Sequence, residues 1–417
     1  MPEESKPSGS LRRRWGFRLL ALSLATIAGL LCAEGLLRLA GISHPLPYAP
    51  DPYCASTLTP GFRGYWSKEG RARIEVNQAG FRDRDHALRK PPGTLRIAVL
   101  GDSYIEAFQV PLEQMFGSQL EQQLNRDSGE PGQAIEVLSF GVSGWGTTSE
   151  LLALRHHVWP FDPDVVLLAF FPGNDVRNNS RVLEPMDCRP YFSLQEGKLI
   201  ADFSFREHPL YAYAQTPAAQ RKTRLINASR ILQVIQALRQ RTAESAANES
   251  PAAKPADARD TAAEIGLDDG CFLPPVEIAW QEAWQLTELL IEQLHAEVAA
   301  RGKRFAVMII PVAIQVHPDP SVRAEYRARL GIEDLEYAER RVQALGDRLG
   351  FPVIRLSGSL RTYAENHHAH LHGFANTRPG EGHWNADGHR LAARKCAAQL
   401  LPLLAAPDSP DDAGTDA

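Results

Sequence analysis

Neither sign of charge dominates this sequence. Forty-five Lys and Arg stand against fifty Asp and Glu in 417 residues, a formal net charge of -5. That balance argues against a nucleic-acid binder, whose electrostatic footprint is a basic stripe. There is no internal repeat. Cysteine is scarce, with five residues. Cys32 lies in an apolar run and Cys396 in a C-terminal helical pattern, whereas Cys188 and Cys271 flank one irregular stretch that a disulfide would close in an oxidising compartment. Cys54 is the alternative partner in that bridge.

Long apolar runs are also absent, with one exception. After Arg12, Arg13, Arg14 and Arg18 comes "LLALSLATIAGLLCA", without a charge, and then "EGLLRLAG". Together they reach the ~20 residues that cross a bilayer at 1.5 Å per residue. By the positive-inside rule the arginines stay in the cytoplasm, and everything after Gly41 crosses. No small-x-small site ends the run as a cleaved signal peptide would require, and Leu31 before Cys32 is a poor lipid-attachment context. The organisation read from this is a basic tail (1–18), a transmembrane anchor (19–40), and a juxtamembrane extension rich in Pro, Gly and aromatics (41–92). A main domain (93–404) and a tail too poor in apolar residues to order itself (405–417) follow.

Within the main domain five strand-length runs recur, Arg96–Leu100, Ile135–Phe140, Asp164–Phe171, Phe305–Pro311 and Pro352–Leu356. Most are continuously apolar, as strands buried on both faces of a parallel sheet must be. Helical patterns separate them, over Glu113–Leu124, Thr148–His157, Ile278–Arg301 and Asp334–Leu349. The alternation predicts an α/β fold, a three-layer α/β/α sandwich with a flavodoxin-like parallel sheet. Residues 178–273 break the rhythm as an insertion. It holds one amphipathic helix, "RLINASRILQVIQALRQR", and a stretch at about 241–263 whose composition predicts disorder.

Three strand ends carry unusual loops. The first strand runs into "GDS", so Ser103 stands where a doubly wound sheet puts its ligands, outside the carboxyl ends of the strands. The same position suits a helix N-cap. The second loop, "SFGVSGWGTTSE", brings glycines whose N–H groups can face developing negative charge, and the third, "FPGNDVRNN", brings the amide of Asn174. A serine hydroxyl needs a base, and a base needs an orienting carboxylate. "PGEGHWNADGHRLAARK" offers Glu381 with His383 and Asp387 with His389. His383 precedes the helix and is the better candidate, because His389 falls within it. Asp102 reads as a helix cap. His317, after the fourth strand, is a candidate substrate contact. The histidines of "ENHHAHLHG" have no acidic or cysteine partner at a metal-ligand spacing, so no metal is inferred.

Taken in order, "GDS", the glycine of "GVSGWG", "GND" and "HWNADGH" resemble the four blocks of the SGNH hydrolase family, also called GDSL-type esterases. "PGFRG", "NQAGFRD" and "LAFFPGNDV" resemble a membrane-anchored bacterial branch, akin to alginate-type O-acetylation proteins. The resemblance implies Ser103 as nucleophile and His383 as base. It implies the Ser103 N–H, Gly144 and Asn174 as oxyanion hole, and an acid two residues before the histidine. That acid is here Glu381 where the family has aspartate, and Pro172 stands where a glycine is common. It further implies no cofactor, and an acylated glycan or other small ester as substrate. The location implied is the extracytoplasmic face of a bacterial inner membrane, in company with envelope-polysaccharide machinery. Esterase, O-acetyltransferase and non-catalytic glycan-binding scaffold remain the three functional readings, the last resting on Glu381.

Overall fold

The computed structural model describes residues 9–128, 133–248 and 267–405. Helix α1 (Gly9–Leu39) is followed by two antiparallel hairpins, β1 (Tyr48–Asp51) with β2 (Ala55–Leu58) and β3 (Arg63–Trp66) with β4 (Ala72–Glu75). Alternation then begins with β5 (Thr94–Gly101), α2 (Ser103–Glu106), α3 (Phe116–Asp127), β6 (Ala134–Gly141), α4 (Thr147–Ala153), β7 (Val165–Phe170) and α5 (Asp175–Asn178). A third hairpin, β8 (Tyr191–Gln195) with β9 (Lys198–Asp202), leads into α6 (Pro209–Ala214), α7 (Pro217–Ala228) and α8 (Arg230–Asn248). The rhythm resumes with α9 (Ile278–Ala299), β10 (Arg304–Ile309), α10 (Pro320–Leu330), α11 (Tyr337–Leu349), β11 (Val353–Arg355), α12 (Ser357–His367) and α13 (Ala386–Ala405).

Among the described residues, those up to Leu46 form one compact unit with those from Arg221 to Asn248. In it, α1 carries an apolar span, Arg13–Leu39, long enough to cross a membrane, and none of that span is buried against protein. Helix α8 runs on to Asn248, beyond Arg241 where its pattern fades. The remainder of the stretch read as disordered, and the C-terminal tail from residue 406, lie outside the described residues.

The larger unit runs from Pro47 to Gln220 and from Leu267 onward. Five parallel strands form its sheet in the order β6-β5-β7-β10-β11, the flavodoxin-like arrangement. Alternate residues of β5 explain why the sheet takes helices on both faces. Leu95, Ile97 and Val99 enter a core with Phe116 of α3, Leu360 of α12 and Leu391 of α13. Ala98 and Leu100 enter the opposite core, with Leu151 of α4, Leu290 of α9 and Val342 of α11. Every side chain of β7 is buried, which is why that segment reads as an unbroken apolar run. The strand order reverses between β5 and β7, and Ser103 and Asn174 leave the sheet at that switch point, where such sheets bind their ligands.

Two patterns read as helix start later than their sequence limits. Leu112–Gln114 is a separate 3-10 turn before α3, and α11 begins at Tyr337 rather than Asp334. No disulfide joins Cys188 and Cys271. Cys188 approaches His208 Nδ1 at 3.4 Å, and Cys271 is buried in the first core.

Candidate active site

Asp102, not Ser103, caps the helix. Its side chain accepts a hydrogen bond from Tyr104 N at 2.9 Å, which leaves the Ser103 hydroxyl free for other work. That hydroxyl meets His383 Nε2 at 2.8 Å. On the other side of the ring, Nδ1 lies 2.6 Å from Glu69 Oε2, and the His383 backbone N–H donates to Glu69 Oε1 at 2.7 Å. A carboxylate on Nδ1 holds the proton there and leaves Nε2 as the acceptor that faces the serine.

The carboxylate that meets His383 Nδ1 is thus Glu69, where Glu381 was expected, and that placement is corrected. Glu381 Oε1 lies 3.6 Å from Arg378 Nη1. The reason lies in the loop. Gly382 has φ +77°, and a Cβ there would collide with Glu69 Oε1, so the backbone before His383 turns to admit a carboxylate from elsewhere. Glu69 arrives on the β3–β4 turn. Asn376 secures that turn, accepting from Gly70 N at 2.9 Å and donating to the carbonyls of Ser67 and Gly70 at 3.0 and 3.2 Å. Burial alone would raise the Glu69 carboxyl. The hydrogen bonds and charge of His383, with Gln109, outweigh it and hold the group below its ordinary value.

Tyr104 completes the mounting of the histidine. Its hydroxyl donates to Gly382 O at 3.2 Å, and its ring centre lies 5.1 Å from those of both His383 and Trp384. Sequence reasoning missed Glu69, Asn376 and Tyr104. The apolar Tyr beside Gly-Asp-Ser carried a weak signal; Glu69, in an irregular segment 314 positions from His383, carried none.

The other candidates fall around this axis. Asn174, the first residue after β7 to leave its buried turn, donates from Nδ2 to Asp102 Oδ2 at 3.1 Å, which sets its amide beside the turn that carries Ser103. Gly144 has φ +78°, a conformation favouring glycine, and its carbonyl accepts from Arg189 Nη2 at 2.8 Å. The residue before it, Ser143, donates its backbone N–H to Glu106 Oε1 at 3.1 Å and its hydroxyl to Glu106 Oε2. Tyr48 donates to the same carboxyl at 3.3 Å. Burial pushes Glu106 up to about 7 despite these donors. Burial likewise raises Asp102, Glu150 and Asp175, with the charge of Asp102 adding to the rise at Glu150 and those of Glu150 and Asp102 adding to it at Asp175.

His317 sits beside the loop that leads to His383, where a Cβ at Gly380 would lie 3.4 Å from its Cδ2. Its Nδ1 accepts from Asp319 N at 3.1 Å at the start of α10, and its ring stands 5.0 Å from that of His370. His372 is buried, and its backbone bridges to Trp384. His389 is fully buried in α13, and neither ring nitrogen has a hydrogen-bond partner among the described residues. Among the described residues, metal-ligating side chains converge only at Asp51, Cys54 and His157, where Asp51 pairs with His157 at 3.0 Å.

No protein-family model matches the chain, and no curated protein does. Solved structures do. An acetyl xylan esterase is 12% identical, over 73% of this chain and 100% of its own, with a TM-score of 0.38. A lipase/acylhydrolase from Enterococcus faecalis is 12% identical, over 74% and 96%, with a TM-score of 0.34. A GDSL-like lipase from Bacteroides thetaiotaomicron is 10% identical, over 76% and 93%, with a TM-score of 0.34.

Proposed function

We propose that this chain is a serine esterase of the SGNH type, anchored in a bacterial inner membrane by α1, with its catalytic domain on the extracytoplasmic side. The observation that carries the reading is the continuous relay Ser103 Oγ, His383 and Glu69, at 2.8 and 2.6 Å. His383 takes the hydroxyl proton as Ser103 Oγ bonds to the ester carbonyl carbon. The oxyanion is met by the N–H groups of Ser103 and Gly144 and the Asn174 amide. Collapse expels the alcohol, which takes the proton from His383, and leaves an acyl-Ser103 ester. Water, deprotonated by His383, then releases the acid and restores the enzyme. Glu69 stabilises the imidazolium in both halves.

The substrate class proposed is O-acetyl esters of envelope or exported glycans. The anchor and the likeness of the sequence blocks to alginate-type O-acetylation proteins support it. Transfer of the acyl group to a sugar hydroxyl uses the same residues and differs only in the acceptor. The scaffold reading loses its sequence support, because the carboxylate it held to be altered is supplied by Glu69. The test treats the full chain, wild type and Ser103→Ala, with a fluorophosphonate and with a short-chain acetyl ester. Labelling and turnover confined to the wild type support the reading. A folded wild type that neither labels nor turns over overturns it.

A further inference from the structure

Residues 221–241 contain six basic side chains, Arg221, Lys222, Arg224, Arg230, Arg239 and Arg241, and no acidic one. All but Arg230 are exposed. Between them lies an apolar stripe left exposed among the described residues. Leu232, Ile235 and Leu238 recur at helical spacing along α8 and are 39%, 40% and 54% exposed, and Leu225 of α7 is 65% exposed. An apolar stripe flanked by bases is the composition of a helix that lies in a membrane interface, not of one that faces water on all sides.

The position of the stripe follows from how α8 is tied to α1. Glu34, near the end of the apolar span, accepts hydrogen bonds from Ser229 Oγ, Arg230 N and Ile231 N at 2.9, 2.9 and 3.1 Å. It thereby satisfies the first N–H groups of α8. Arg38, one turn further on, donates to Ala228 O at 2.9 Å. The chain leaving α1 is strapped to the same place, with His44 N donating to Gln233 and Leu46 N to Asn227 at 2.9 and 2.8 Å. From Arg18 to Arg38 the helix rises about 30 Å, the thickness of the hydrocarbon layer. If Arg18 stands at one edge, Arg38 stands at the other, and α8 starts at the depth of the headgroups.

We propose that residues 221–241 lie on an anionic phospholipid surface, with the Leu232, Ile235 and Leu238 stripe entering the headgroup boundary and the arginines facing lipid phosphates. This rests on α1 being a membrane span. Each base near such a surface strengthens the contact about fivefold.

The test reconstitutes the full chain in vesicles of phosphatidylcholine alone or mixed with phosphatidylglycerol. A nitroxide is attached at Leu238→Cys, or at Ile235→Cys as a second site, in a Cys32→Ser, Cys188→Ser background. Collisions with oxygen, which enters lipid, are compared with those of a water-soluble nickel complex. The proposal expects the oxygen-to-nickel ratio to rise at least fivefold in the anionic vesicles and to fall back in Arg239→Glu, Arg241→Glu, with turnover of a soluble acetyl ester unchanged. A label open to nickel in both vesicles overturns it while alkaline carbonate leaves the chain in the bilayer. Equal immersion in both overturns the choice of an anionic surface. Shielding from both reagents assigns the stripe to a second copy of the chain, and release by carbonate removes the anchor and the proposal together.

Discussion

His383 and His389 stand six positions apart, each with a carboxylate two residues before it, and they have opposite environments. The His383 side chain is 25% exposed and held between Glu69 and Ser103. His389 is 0% exposed, packed 5.6 Å from the Trp384 ring, and burial with nearby positive charge lowers it to about 3, so it stays neutral. The neighbouring acids do not make the difference, since Glu381 and Asp387 engage Arg378 and Arg390 instead. What distinguishes the two rings is contact with distant segments, the β3–β4 turn and the start of α2.

Substitutions that separate the two histidines test this. His383→Ala should lower kcat/KM about 10⁶-fold, as loss of the base from an acyl-transfer relay does. His389→Leu should leave turnover intact and the melting temperature equal or higher, because it removes a buried ring with two unbonded nitrogens. A dead His389→Leu beside an active His383→Ala would invert the assignment. The same contrast applies to the acids. Glu69→Gln should cost about 10⁴-fold in kcat by losing the charge that orients His383, whereas Glu381→Ala should change nothing measurable in steady-state kinetics. Asn376→Ala loosens the turn that carries Glu69 and should cost up to about a hundredfold, more in kcat than in KM.

The smallest effect concerns stability. Glu106 has its folded-state value raised from 4.5 to about 7, so ionisation is opposed only in the folded chain. Stability should fall as pH climbs from 4.5 toward 7, by on the order of 3 kcal/mol, and Glu106→Gln should lack that slope in thermal unfolding. His389 works in the other direction. Its folded-state value lies below the ordinary 6.5, so stability is lost as pH falls from 6.5 toward 3, and His389→Leu should flatten that limb.

The sheet was readable because its strands are buried on both faces, so their apolar runs are unbroken and their order in the chain follows the fold's own rhythm. Ser103 and His383 were readable because each sits in a loop with a marked local composition. Glu69 was not, since a hydrogen bond between residues 69 and 383 leaves no periodicity and no spacing in either segment. The mistaken choice of Glu381 came from reading a sequence neighbour as a spatial one. Gly382, between the two, was the residue whose conformation kept them apart.

The order of the three relay residues along the chain sets when activity can first exist. At 5–20 residues per second, the carboxylate leaves the ribosome roughly 15–60 s ahead of the histidine that needs it, with the serine in between. On the proposed mechanism, no nascent chain that stops short of His383 holds an activated Ser103. On that mechanism a chain truncated before His383 is silent however well its sheet has formed.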